Sequence, residues 1–243
     1  MSDLWKRRLR RLAVAAAVLG AAIYVWDEFL KYRLIAKRFG VVVPGLVYRS
    51  GQISKWVIGD VLDRHGIEVV IDLQGADPQD QHQQAEIEAI ERRGIALERF
   101  PMSGDGTGEP EVYAEAVAVL ARAAAQGRPV LVHCGAGAKR TGGVVVLYRV
   151  LIQRQSVQAA YRELSRYGWR SNNPTLLRFL NSHMDEIAEL LVARGVLDAV
   201  PERLPVIGPS PDERRPAPSG LADDPVGLRF VPRADSQPRA ARS

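Results

Sequence analysis

The run Val130-Leu131-Val132-His133 has no polar alternation, and it passes directly into Cys134 and a turn holding two glycines, Gly135 and Gly137. A β-strand that is apolar on both sides must be covered on both faces, which is the situation of a central strand in a sheet flanked by helices. Residues 67–73 read the same way, and 45–49 and 95–101 supply two further strands. Helical periodicity fills the intervals at 54–65, 79–93, 110–126, 140–153, 156–167 and 174–194. Gly66, Gly94 and Gly127 stand where a C-terminal glycine ends a helix. Repeated strand–helix–strand units of this length predict an α/β fold with a mainly parallel central sheet and helices on both faces. In open sheets of that kind ligands bind beyond the carboxyl ends of strands, which is where Cys134 falls.

The 243 residues suffice for one domain, expected over 41–200, with a tail at each end. The formal charge of +5 invites a nucleic-acid reading until it is divided by region. Residues 1–40 carry most of the excess cations, and 41–200 are slightly acidic, so the expected folded body offers no basic surface for nucleic acid. The single cysteine rules out an intrachain disulfide and a multi-cysteine metal site.

A basic segment, 1–11, holds Lys6, Arg7, Arg8, Arg10 and Arg11 and precedes an uncharged, mostly apolar run at 12–26. Within 12–30 the sequence predicts a membrane anchor, with Trp5, Tyr24 and Trp26 at the interfaces. The alternatives are a signal segment cleaved near Gly20-Ala21-Ala22 and a helix buried in the core. Cations before the run place the N-terminus in the cytoplasm and the catalytic domain outside it, anchored or, after cleavage, periplasmic or secreted. Residues 201–243 are rich in Pro and Arg and poor in apolar residues, the composition of a disordered tail.

The chemistry is concentrated in residues 133–141. Phosphate monoesters are dianions that repel anionic attack, so hydrolysis needs a strong nucleophile inside a positive cradle. A turn after a strand, running into a helix near Arg140, aims backbone N–H groups of Gly135, Ala136, Gly137, Ala138 and Lys139 into one concavity. The same field lowers the thiol pKa and makes Cys134 a thiolate nucleophile. Arg140 offers a planar fork to two phosphate oxygens, and Thr141 sets a hydroxyl beside the sulfur.

His133-Cys134, five residues, then Arg140-Thr141-Gly142 resembles the phosphate-binding loop of the protein-tyrosine and dual-specificity phosphatases. Val47-Tyr48-Arg49-Ser50-Gly51-Gln52, Val69-Val70-Ile71-Asp72-Leu73 and Phe100-Pro101-Met102-Ser103 resemble the bacterial dual-specificity type in the same order, over about residues 44–185. The resemblance implies the cysteine phosphatase fold, a phosphocysteine intermediate hydrolysed by water, and neither metal nor cofactor. It also implies a general acid on a loop before the helix preceding the Cys134 strand. Asp105 stands there, in a stretch with Gly104, Gly106 and Gly108; Glu109 is the rival carboxylate. His133 is expected to orient the loop. Arg49 reads equally as a supporting group or a strand-end charge, and Asn172-Asn173-Pro174 as a water-positioning amide or a helix start. His65, His82 and His183 read as solvated surface residues.

Relatives that act on phosphoinositides tend to carry lysines at the first and fourth variable loop positions, where this chain has Gly135 and Ala138; its one lysine there is Lys139. That favours phosphorylated protein side chains as substrate, with a small phosphate ester such as an inositol phosphate, or a phosphoinositide, as the alternative. Two more distant readings are a rhodanese-type sulfurtransferase, which also uses a strand-ending cysteine, and a catalytically silent phosphate-binding module.

Overall fold

The computed structural model describes residues 3–26, 31–172 and 174–209. The chain divides into two units after Gly208. The first holds helices α1 (Asp3–Val25) and α2 (Lys31–Leu34), then β1 (Gly40–Val43), β2 (Val47–Gly51) and α3 (Ile58–Arg64). There follow β3 (Val69–Asp72), α4 (Gln81–Glu91), β4 (Ala96–Arg99), α5 (Pro110–Ala125) and β5 (Val130–Cys134). Helix α6 (Lys139–Leu147) runs on into a π-helical turn, Tyr148–Ile152; α7 (Val157–Arg166), α8 (Thr175–Ser182) and α9 (Met184–Ala193) complete the series.

The sheet order is β1-β2-β5-β3-β4, parallel except for the β1–β2 pair. Strand β5 is central, as its unbroken apolar run requires, and its side chains divide with a period of two. Val130, Val132 and Cys134 enter the larger core under α5, α6, α8 and α9, while Leu131 joins Ile58 and Leu62 of α3 and Ala89 and Ile90 of α4 on the other face. Strand β3 splits likewise, Val69 and Ile71 against Val70.

Three local differences from the sequence reading have physical causes. Strand β1 was not expected. It forms a hairpin with β2 through Pro44 and Gly45 (φ 73°), with a register shift between Val41 and Val43. The single helix expected at 174–194 breaks at His183, whose backbone (φ −119°, ψ 17°) leaves the helical range and whose ring packs on Phe179. Residues 201–208, read as the start of a tail, stay on the domain. Ile207 is buried, and its N–H and C=O both pair with the Asn181 side chain at 2.8 and 2.9 Å. The rest of that expected tail, 210–243, lies outside the described residues.

The N-terminal expectation is corrected outright. No helix among the described residues is long and apolar enough to cross a membrane. Helix α1 has 23 residues, but its first turns carry the cations, and the apolar part from Leu12 to Val25 spans roughly 21 Å against a hydrocarbon core of roughly 30 Å. Membrane anchorage is therefore withdrawn, and with it the expected location of the catalytic domain outside the cytoplasm. The buried-helix alternative also fails, because residues 12–26 are exposed throughout.

Candidate active site

Cys134 ends β5 and is buried. The loop that follows is held from outside by its carbonyl groups. Gln52 N–H donates to Gly135 O (3.2 Å), Arg38 Nη1 to Ala136 O (2.7 Å) and Arg49 Nη2 to Gly137 O (3.0 Å). In a trans peptide the next N–H points opposite to the carbonyl, so pinning three successive carbonyls outward turns the N–H groups of Ala136, Gly137 and Ala138 inward. Gly137 N–H accordingly donates to Cys134 Sγ at 3.2 Å. Gly137 sits at φ 71°, and a β-carbon there would stand 2.4 Å from Gly51 N, so the loop can lie this close to β2 only with glycine at that position.

Burial alone would raise the Cys134 thiol. Hydrogen bonds from the Thr141 hydroxyl and backbone, the Arg140 charge and the Gly137 N–H outweigh it, and the pKa is lowered. The Thr141 hydroxyl also lies 3.4 Å from Ser50 O. Its single proton serves the sulfur when that is ionised, since a charged acceptor makes the stronger bond. Arg140 is fixed by Nη1 donating to Leu73 O at 3.1 Å, at the end of β3.

Arg49 was only half expected here. It is wholly buried, on the same face of the sheet as Cys134, with its guanidinium 4.0 Å from the Tyr167 ring centre and Nη1 3.9 Å from Glu163 Oε1. Desolvation lowers its pKa to about 10, against the opposing charge of Glu163, so it is a cation at neutral pH. Glu163 is shared with Arg149, at 2.8 Å. Arg49 thus carries positive charge to the back of the loop.

On the opposite face His133 is buried among carboxylates, Nε2 lying 3.2 Å from Glu86 Oε1 and 3.9 Å from Asp72 Oδ1. Burial opposes its protonation, but Glu86 and Asp72 prevail and raise its pKa to about 9. Asp72 also pairs with Arg99 Nε at 2.9 Å. The three residues offer ligand atoms within 4.8 Å of one another, a spacing that could hold a cation; burial raises the Asp72 pKa, and Arg99 and His133 already face the two carboxyl groups.

Asp105 lies beside the loop: a β-carbon on its neighbour Gly106 would stand 3.2 Å from Lys139 Cβ. Its carboxylate closes a small turn, Oδ1 accepting from Thr107 N–H (2.9 Å) and Thr107 Oγ1 (2.7 Å). These bonds, with Ser103, depress its pKa to about 2. Glu109 is exposed and begins α5 without capping it. Tyr113, fully buried, ties the loop down through its hydroxyl, which donates to Gly106 O at 2.6 Å.

A model of the family described as "DSP-PTPase phosphatase fused to NAD+ Kinase" matches residues 44–178. The chain belongs to this phosphatase family. A search of curated proteins found no match. Among solved structures, TpbA of P. aeruginosa is similar at 20% identity and a TM-score of 0.51, over 65% of this chain and 91% of that one. The core catalytic domain of the PP-IP phosphatase SIW14 from S. cerevisiae, solved with citrate, is similar at 21% identity and a TM-score of 0.53, over 68% of this chain and 96% of that one. Both have the cysteine phosphatase fold expected of this chain.

Within this phosphatase the residues expected to act together do converge on one place: Cys134, Arg140, Thr141 and the loop backbone, with Asp105 at the edge. Sequence reasoning missed Glu86 and Asp72 as partners of His133. Of the other three histidines, His65 packs against both Phe39 and Tyr48, which also stack on each other, His82 Nδ1 accepts from Lys55 N–H at 3.0 Å, and His183 packs on Phe179. They are half-buried packing residues rather than solvated ones. Asn172 is exposed, and Asn173 lies outside the described residues.

Proposed function

We propose that the chain hydrolyses phosphate monoesters on protein side chains through a phosphocysteine at Cys134. The observation that supports this best is the outward pinning of three loop carbonyls around a buried thiol with a lowered pKa. The thiolate attacks phosphorus in line; the P–O ester bond breaks, and its electron pair leaves on the ester oxygen, which takes a proton from Asp105. Arg140 and the inward N–H groups hold the equatorial oxygens throughout. Water then attacks phosphorus, the S–P bond breaks, and Thr141 stabilises the departing thiolate. Arg49 and His133 are positioning cations behind the loop. Asp105 must first leave its turn with Thr107, since a group of pKa about 2 holds almost no proton at neutral pH.

Gly135 and Ala138 add no side-chain cation to the cradle, which supports a singly phosphorylated protein residue as substrate. A second reading, an inositol pyrophosphate, rests on the fold shared with the PP-IP phosphatase SIW14. Turnover of p-nitrophenyl phosphate by the purified chain, insensitive to chelator and absent in Cys134→Ser, is the expected result. Comparing kcat/KM on phosphotyrosyl and phosphothreonyl peptides with that on an inositol pyrophosphate then separates the two readings. A preference of tenfold or more for the inositol compound would overturn the protein-substrate assignment.

A further inference from the structure

Gln74 follows β3 and lies beside the loop at Gly135. Its backbone is clamped on both sides: Gln74 N–H donates to Asp72 Oδ1 (2.9 Å), and the preceding carbonyl, Leu73 O, accepts from Arg140. Its side chain reaches the loop itself. The point where a β-carbon on Gly135 would stand is 2.6 Å from Gln74 Oε1 and 3.5 Å from Arg140 Nη2. Amide and guanidinium therefore border one small volume, kept open because residue 135 is glycine. The other end of the amide, Nε2, is buried and has no hydrogen-bond partner among the described residues. A buried donor left unmatched is costly, and folded proteins rarely tolerate one without a use for it.

We propose that Gln74 is a substrate-contacting residue whose side-chain amide donates a hydrogen bond to the phosphoryl group held by Arg140 and the loop. The inference rests on the phosphatase reading above. A terminal amide turns easily about its last bond, which exchanges Oε1 and Nε2 in nearly the same space. With the cradle free, Oε1 faces Gly135 and the Arg140 side; when an oxyanion engages Arg140, the turned amide presents N–H to it instead. The donor that is unmatched in the free protein is matched in the complex. The bond persists in the phosphocysteine, because the phosphoryl group stays in the cradle when the ester oxygen leaves. Gln74 as a mere spacer beside Gly135 would fill the volume equally well but would not sense the anion.

Two substitutions in the full chain separate these roles, with vanadate as the probe. Gln74→Leu keeps the bulk and removes the donor. It is expected to weaken vanadate binding by about tenfold or more, lower kcat/KM for p-nitrophenyl phosphate in proportion, and leave the urea midpoint unchanged or higher. Gln74→Glu keeps the shape and reverses the polarity. It is expected to bind vanadate more weakly still at pH 7 and to regain affinity as the pH falls and the carboxyl protonates; should the leucine variant misfold, this isostere carries the test alone. Vanadate affinities within twofold of the parent, in a parent that is itself active, would overturn the role of Gln74 alone. A parent that neither turns over substrate nor binds vanadate would overturn the phosphatase reading first, and this inference with it.

Discussion

The two halves of the site are built differently. The loop around Cys134 is tied from behind by groups that are far apart in sequence: Gln52 and Arg49 at β2, Arg38 before β1, and Leu73 at the end of β3. The Asp105 loop is tied mainly to itself, through Thr107 and Ser103, and through one bond from Tyr113. The half proposed to hold the nucleophile thus has its backbone fixed in place by the sheet, as electrostatic stabilisation requires. The half proposed to hold the acid is a local turn that keeps the Asp105 carboxylate ionised, and under that proposal it must open to act.

The largest expected effects lie in the preorganised half. Cys134→Ser should abolish turnover while vanadate still binds, because the cradle is backbone and Arg140. Arg140→Lys should also be severely impaired, since a point charge cannot replace the fork; kcat/KM near the parent value in either variant would break the comparison. Arg49→Met touches no substrate but frees Gly137 O. It should lower kcat/KM by about 10- to 100-fold, the worth of one charge-assisted bond, and raise the pH at which the thiol is alkylated. A loss of stability with unchanged alkylation would reduce Arg49 to a packing residue.

These effects also mark what was legible beforehand. Cys134, Arg140 and Thr141 could be read because their chemistry lies in consecutive positions whose strand–turn–helix setting is local. Arg49 could be read only halfway, because Gly137, Glu163 and Tyr167, which give it meaning, come from distant parts of the chain. Glu86 gave no signal at all: a glutamate in a polar helix looks solvated until α4 is laid against β5. The Pro44-Gly45 turn did carry a hairpin signal for β1 that went unused, whereas the break at His183 has neither Gly nor Pro to announce it. Asp105 could be placed on a loop that lies beside Lys139, but its bond to Thr107, which lowers its pKa, is a matter of three-dimensional closure.

In the self-contained half, Asp105→Asn should slow esters with poor leaving groups about 10²- to 10⁴-fold and spare those with acidic leaving groups. An equal loss across leaving groups would reduce Asp105 to a shaper of its loop and turn attention to Glu109. Thr107→Val should raise the Asp105 pKa and shift the alkaline limb of kcat upward, provided the turn restrains the acid. The smallest effect concerns stability. His133 is raised from its unfolded value to about 9, so its contribution is complete below about pH 6.5 and is lost as the pH rises through about 9. Cys134, lowered in the fold, contributes with the opposite sign. Urea midpoints of Cys134→Ser should therefore fall across that window, and adding His133→Gln should flatten the slope; no slope in the first variant would contradict the charged assignment.

Attack by Cys134 on phosphorus requires a thiolate in the free protein. The rate of alkylation by iodoacetamide, followed from pH 4 to 10 in the parent chain, reads that directly. The midpoint should lie below the ordinary cysteine value of about 8.5, and inorganic phosphate should slow the reaction at every pH. A midpoint at or above about 8.5, unaffected by phosphate, would mean that burial outweighs the cradle and that Cys134 is not the nucleophile described here.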